Sequence, residues 1–243
     1  MKIFEKSMRK KIKIIAEIGV NHNGRISLAK QLISTAANLD VDYVKFQSFS
    51  ADRQVGKKAK KANYQIEKKK KKESQHQMLK KLELKENHYK ILHEHCKKEK
   101  VKFLLSFFDV ESLKWVKKFN LQTIKIPSGE INNFLLLKEI GKLKKNVILS
   151  TGISTIKEIS DALNLLISSG TKKKKITVLH CNSAYPTPLQ DVNMRAMVTI
   201  KNKFEVKIGY SDHTETFESA LAAVALGAEV IEKHFTLNKN LSG

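Results

Sequence analysis

Short apolar runs recur along the chain, each closed by a polar cluster and followed by a stretch whose apolar positions fall at helical spacing. The first is IKIIAEIG (12 to 19), which gives way to VNHNG and then to a segment with Leu28, Leu32, Ala36 and Leu39 on one helical face. Ser27 is the expected N-cap of that helix. The strand signature returns in DYVKFQ (42 to 47), VKFLLSFFD (101 to 109), QTIKIPSGE (122 to 130), NVILSTG (146 to 152), KITVLHC (175 to 181), VKIGY (206 to 210) and EVIEKHF (229 to 235). Helical spacing fills the intervals. QMLKKL and residues 86 to 98 are predicted helices, the latter with Tyr89, Leu92 and Cys96 on its packed side. ESLKWVKKF follows with Asp109 as cap, then FLLLKEIGKL, and then STIKEISDALNLLISSG, with Ser154 as cap and Gly170 as stop. Residues 192 to 200 supply a further helix, whereas 48 to 75 keep neither period.

The strands predicted are 12 to 18, 42 to 47, 101 to 106, 122 to 126, 146 to 150, 175 to 181, 206 to 210 and 229 to 235. Eight βα beats with polar residues at each strand end fit an α/β (β/α)8 TIM barrel better than an open sheet. Residues 1 to 11 read as a basic N-terminal segment and 12 to 243 as the barrel. No helical pattern follows the eighth strand before Gly243. The expectation is therefore a barrel short of its last helix, with apolar surface near strands one and eight.

The charge balance narrows the partners. Lys plus Arg number 46 against 24 for Asp plus Glu, a net +22, yet Arg9, Arg25, Arg53 and Arg195 are the whole arginine set. Base-edge reading favours arginine, so specific nucleic-acid recognition is not expected. The lysine runs 57 to 61, 68 to 72 and 172 to 175 read as solvated loops and helix faces. Two cysteines, Cys96 and Cys181, make neither a disulfide framework nor a metal spacing. No apolar run is long enough to span a bilayer, so membrane insertion is not expected and a cytoplasmic location is.

A barrel gathers the carboxyl ends of its strands on one face. There the sequence offers Glu17, Asn21 and His22; Lys45 and Gln47; Ser106; Lys125, Ser128 and Glu130; Ser150 and Thr151; Asn182, Ser183 and Tyr185; Ser211, Asp212 and His213; and Glu232 and His234. Lys45 and Lys125 interrupt apolar runs, where a buried ammonium needs a counter-charge. They either clamp a phosphate and a carboxylate or pair with carboxylates such as Glu17 or Glu130. His213 and His234 form either two ligands of a divalent metal or a hydrogen-bonded pair. His180 points away from its strand neighbours and reads as a core residue. Cys181 has no activating partner in the sequence.

The ordered set IAEIGVNHNG (15 to 24), YVKFQSF (43 to 49), KIPSGEINN (125 to 133), ILSTG (148 to 152), SAYPTP (183 to 188), GYSDHT (209 to 214) and EKHFT (232 to 236) resembles the sialic acid synthase family. That family includes N-acetylneuraminate, legionaminate and pseudaminate synthases, which condense phosphoenolpyruvate with an N-acetylated amino sugar. The resemblance implies that Lys45, Gln47, Lys125, Ser128 and Ser150 hold phosphoenolpyruvate, that Tyr185 lines the sugar side, and that His213 and His234 bind Mn2+ or Mg2+. Ser106, Asn182, Ser183, Ser211, Asp212 and Glu232 complete the expected substrate lining. Glu130 is the candidate for moving protons and Glu17 for stabilising charge, and the two roles are exchangeable.

Departures accompany the match. LSFFD stands where relatives read STPFD, so Ser106 takes a threonine's place and Phe107 a proline's. Asn182 and Ser183 follow the cysteine of the sixth strand where threonine and then asparagine or serine are usual. Relatives continue past LSG into an eighth helix and an antifreeze-like domain, which in a domain-swapped homodimer gives an arginine to the partner's site. DVNMRAM (191 to 197) is closer to the legionaminate branch. The alternatives are a catalytically impaired barrel and a related enzyme joining phosphoenolpyruvate to another aldose.

Overall fold

The computed structural model describes residues 12–62, 65 and 73–241. Eight strands, β1 (Lys13–Gly19), β2 (Tyr43–Ser48), β3 (Lys102–Phe107), β4 (Thr123–Ile126), β5 (Asn146–Ser150), β6 (Ile176–Cys181), β7 (Lys207–Asp212) and β8 (Val230–His234), close into a parallel barrel in sequence order. Each predicted strand lies within about two residues of an observed one, because burial on both faces, by the barrel interior and by the ring of helices, demands near-continuous apolar runs. Closure is made by β1 against β8, with Ile14 opposite Ile231 and Glu17 opposite His234.

Helices run back along the outside: α1 (Ile26–Asn38), α2 (Ala51–Gln54), α3 (Gln75–Leu82), α4 (Glu86–Lys98), α5 (Lys114–Lys118), α6 (Phe134–Lys142), α7 (Ile156–Ser168), α8 (Arg195–Phe204) and α9 (Glu218–Ala225). Their buried stripes, such as Leu28, Leu32, Ile33 and Ala36 on α1, join the outward side chains of the strands in one core. Inside the barrel sits a separate layer of Ile15, Tyr43, Leu104, Ile148, Leu179 and Val230. It closes the barrel's floor, so that no channel runs through it.

Several caps differ from expectation. Thr155, not Ser154, caps α7 through a capping box with Glu158, while the Ser154 hydroxyl turns back to the Thr151 carbonyl. The N-cap of helix α1 falls two residues before the expected Ser27, at Arg25, which makes no side-chain cap. Asp109 does cap the turn it precedes, accepting from the Ser112 N–H at 2.8 Å. The predicted helix over 192 to 200 begins only at Arg195, because a 3₁₀ turn (Leu189–Asp191) takes up the chain after Pro188. Of the stretch that kept no period, α2 lies within the described residues, and the lysine run 68 to 72 lies outside them. Beside β8, helix α9 exposes Phe217, Leu221 and Val224.

Candidate active site

Strand alternation builds the site one step above the apolar floor. Two residues beyond Ile15, Tyr43, Leu104, Ile148, Leu179 and Val230 stand Glu17, Lys45, Ser106, Ser150, Cys181 and Glu232, each pointing inward by the period of two. β4 and β7 add Lys125 and Ser211. Lys45 and Lys125 are 3% and 2% exposed, and strand β3 lies between theirs.

Both lysines are paired. The Lys45 ammonium lies 2.9 Å from Glu17 Oε2 and 3.4 Å from Glu232 Oε1, and donates to Ser106 Oγ at 2.9 Å. Lys125 donates to Ser150 Oγ at 2.7 Å and lies 3.6 Å from Glu232 Oε1. Glu130, one expected counter-charge, is not in this network. Gln47 Nε2 donates to Glu17 at 3.0 Å, and Ser211 Oγ donates to Glu232 at 3.1 Å. Among the described residues Glu232 Oε2 is buried with no hydrogen-bond partner.

These contacts drive the titrations apart. Burial raises the Glu17 carboxyl and outweighs the opposing pull of Lys45. Burial also acts against the Glu232 carboxylate, but Lys125 and Lys45 together draw it down to about 2. Lys45 is desolvated, yet Glu17 and Glu232 hold its ammonium above the usual range. For Lys125 desolvation wins, with Glu232 too little to offset it, and its pKa is lowered. Lys125 is thus the cation whose charge a bound anion would stabilise most.

Above this floor opens a cavity of about 1280 Å³. It is lined by Gln47, Ser128, Tyr185, His213 and His234, and its outer wall comes from α3 and the chain before it, including Lys61, Glu73 and Lys81. Arg25 and Asn21 also reach it. Tyr185 stacks on His213 with ring centroids 4.1 Å apart, and the two histidine rings lie 5.7 Å apart. His213 Nδ1–H donates to the Asn182 carbonyl at 2.6 Å, which leaves Nε2 as an acceptor 3.2 Å from the Tyr185 hydroxyl. Burial first, then the neighbouring His234, push His213 down to about 4; burial and Lys45 do the same to His234. Both rings are neutral near pH 7.

Of the residues expected from sequence, Glu17, Lys45, Gln47, Ser106, Lys125, Ser128, Ser150, Tyr185, Ser211, His213, Glu232 and His234 all line this cavity. Four do not. Asp212 follows the inward Ser211, so alternation turns it outward, where it accepts from Thr214, Ser219 and Lys233. Asn182 follows the inward Cys181 in the same way; its amide donates to the Asp191 carbonyl at 2.7 Å, and with Ser183 it lines a separate hollow of about 540 Å³. Glu130 lies on a 3₁₀ turn (Ser128–Glu130), half-buried and accepting from Asn133. His22 is buried, its Nδ1 accepting from the Gly24 N–H. His180 is a core residue, 2.7 Å from the Val192 carbonyl. Cys181 donates no thiolate: burial raises it, and its sulfur accepts from the Gly152 N–H.

Sequence reasoning missed Lys61 and Glu73 because the chain from 48 to 75 has no periodicity to place them, and Arg25 and Lys81 because they sit at helix ends and not at the carboxyl ends of strands. It also missed the orienting carbonyl of Asn182, since a backbone contact leaves no mark on residue type.

A closed parallel barrel with a charged cavity at the carboxyl ends of its strands defines an enzyme-type (β/α)8 site. Comparison with known proteins supplies the family. Residues 32–243 match the model of the NeuB family. The chain is 52% identical over 234 residues to the N,N'-diacetyllegionaminic acid synthase of Campylobacter jejuni, covering 96% of this chain and 70% of that protein. It is 40% identical to the Legionella pneumophila protein of the same name, covering 95% and 65%. A crystal structure of N-acetylneuraminic acid synthetase from Leptospira borgpetersenii, in complex with citrate, superposes with a TM-score of 0.84 at 34% identity, covering 96% of this chain and 76% of that one. The chain belongs to the NeuB family.

Proposed function

We propose that this barrel condenses phosphoenolpyruvate with an N-acetylated amino sugar, forming a nine-carbon 2-keto acid and releasing phosphate. The observation that carries the reading is the pair of buried lysines on the cavity floor. Lys125 in particular gains most from an anion, and hydroxyls of Ser106, Ser128, Ser150 and Ser211 stand around the same floor. A small substrate with a phosphate and a carboxylate answers both cations. The Campylobacter and Legionella relatives point to a diacetamido sugar as acceptor.

The chemistry follows from the residues. Carbon 3 of the enol attacks the aldehyde carbon, forming the C–C bond, and the aldehyde oxygen takes a proton. Water adds at carbon 2 and loses one proton, and the resulting hydroxyl gives up the second as the carbon–oxygen bond breaks and phosphate departs with the bridging oxygen, leaving the keto group. Glu17, whose pKa is raised, is placed to move a proton, whereas Glu232 stays ionised and faces positive charge developing at carbon 2. The proton-moving role expected for Glu130 passes to Glu17, because Glu130 lies off the cavity.

Mn2+ or Mg2+ fits beside His213 and His234. Both imidazoles are neutral, His213 presents Nε2 with Nδ1–H tied to Asn182, and Glu232 Oε2 has no hydrogen-bond partner among the described residues. No group of three or more His, Cys, Asp or Glu among the described residues is arranged to hold a metal. Water and substrate oxygens would therefore complete the coordination. A bound ion would supply electrophilic polarisation of the aldehyde.

The test is phosphate release from phosphoenolpyruvate with manganese across N-acetylmannosamine, diacetamido sugars and a phosphorylated aldose. Release that depends on one acetamido sugar and is abolished in His213→Ala supports the proposal. Release driven best by the phosphorylated aldose, or unchanged in His213→Ala, contradicts it.

A further inference from the structure

The barrel is polarised along its axis. In this topology helix C-termini and strand N-termini meet at the end opposite the cavity. Five successive connections at that end, leading into β3, β4, β5, β6 and β7, are dense in lysine. Residues 97–102, 117–122, 142–146, 172–175 and 201–207 together hold sixteen lysines and two acids, Glu99 and Glu205. Nearly all these lysines are exposed. Cations suit helix C-termini, but that preference is satisfied by one or two per helix. Asp40 and Asp42 precede β2 and Glu229 precedes β8, so among the described residues the positive charge is concentrated in an arc over the entries to β3 through β7.

Few of these charges are neutralised within the chain. Lys97, Lys118, Lys142 and Lys173 have carboxylate partners. Lys172, Lys174, Lys203 and Lys207 have no ion pair among the described residues. Like charges held this close repel one another and lower stability unless an external anion screens them. The arc lies at the opposite end of the barrel from the cavity, so substrate binding does not account for it.

We propose that the lysine arc is a docking surface for an anionic phospholipid bilayer, on which the barrel rests with its cavity facing away. Charge complementarity and shape both favour that occupant. The charges are spread over a broad end face and not along a groove, which suits a plane. No arginine lies in the arc, and its two exposed-side aromatics, Phe119 and Phe204, pack against the core. The surface therefore lacks the bidentate and stacking groups that nucleic acid recognition uses. No helix among the described residues is long and apolar enough to cross a membrane. Attachment is accordingly peripheral, electrostatic and reversible by salt.

The experiment is co-sedimentation of the full chain with vesicles. One set is phosphatidylcholine and the other contains about 30% phosphatidylglycerol, each at about 0.05 M and about 0.5 M NaCl. The expected result is binding to the anionic vesicles only, lost at high salt. Lys172→Gln/Lys174→Gln/Lys207→Gln is expected to weaken it about tenfold or more. The charge-matched control Lys57→Gln/Lys58→Gln/Lys60→Gln, outside the arc, is expected to leave it nearly unchanged. Thermal melting checks that both variants fold. Equal loss in the two variants would mean that net charge and not this face is responsible, and would overturn the proposal. So would tighter binding to duplex DNA than to vesicles at the same salt, or absence of vesicle binding at low salt.

Discussion

Glu232 is the residue on which the cavity floor depends, because both buried ammonium groups lean on its carboxylate. Replacing it with glutamine leaves two desolvated cations sharing Glu17, and removal of one partner from a buried ionic cluster costs about 3 kcal/mol or more. Glu232→Gln is expected to lower the urea midpoint accordingly. Added phosphate should restore part of the loss by binding the lysines. A midpoint unchanged from wild type would show that the lysines do not need this carboxylate. Individual residues were legible in the sequence to the extent that one rule placed them. A lysine inside an apolar strand demands a counter-charge, and period-two alternation puts it with other inward residues. The same rule applied strictly excludes Asp212 and Asn182, each adjacent to an inward residue. The error arose from treating each strand's end as a cluster and not as two faces.

Elements were legible wherever periodicity was strong. The eight strands and α4 follow directly from the apolar runs, while cap positions depended on which of two adjacent hydroxyl residues could reach the third backbone N–H. At α7 the reciprocal partner decides it: Glu158 stands three residues after Thr155, and its carboxylate accepts from the Thr155 N–H at 2.7 Å. Thr155→Ala is expected to cost about 1 kcal/mol, measured by chemical denaturation, with Ser154→Ala well below that. A larger effect at Ser154 would contradict the assignment. The described chain between β2 and α3 was illegible because it is tied by contacts such as Lys61 with Glu73 at 3.3 Å, and not by a repeating apolar face.

For the whole molecule, buried neutral histidines tie stability to pH. His22, His213 and His234 are each lowered to about 4, in every case chiefly by burial. An unfolded histidine titrates near 6.5, so between about 6.5 and 4 the unfolded chain binds protons that the folded one does not. Stability is then fully present above about 6.5 and falls as pH drops toward 4, by on the order of 2–3 kcal/mol per histidine. Denaturation midpoints at intervals across that window should decline steadily. His22→Gln should flatten the slope, and an unchanged slope would show that His22 is protonated freely in the folded state.

The barrel as an architecture was legible in full, since eight βα beats leave little choice of topology. The chemistry it supports rests on one claim, that the lysine floor binds phosphoenolpyruvate. Calorimetric titration of phosphoenolpyruvate into the wild type and Lys125→Met tests that claim most directly. Saturable binding in the wild type, weakened about 100-fold in Lys125→Met by loss of a charge-assisted contact, is the predicted result. Equal affinity in the two proteins would contradict it.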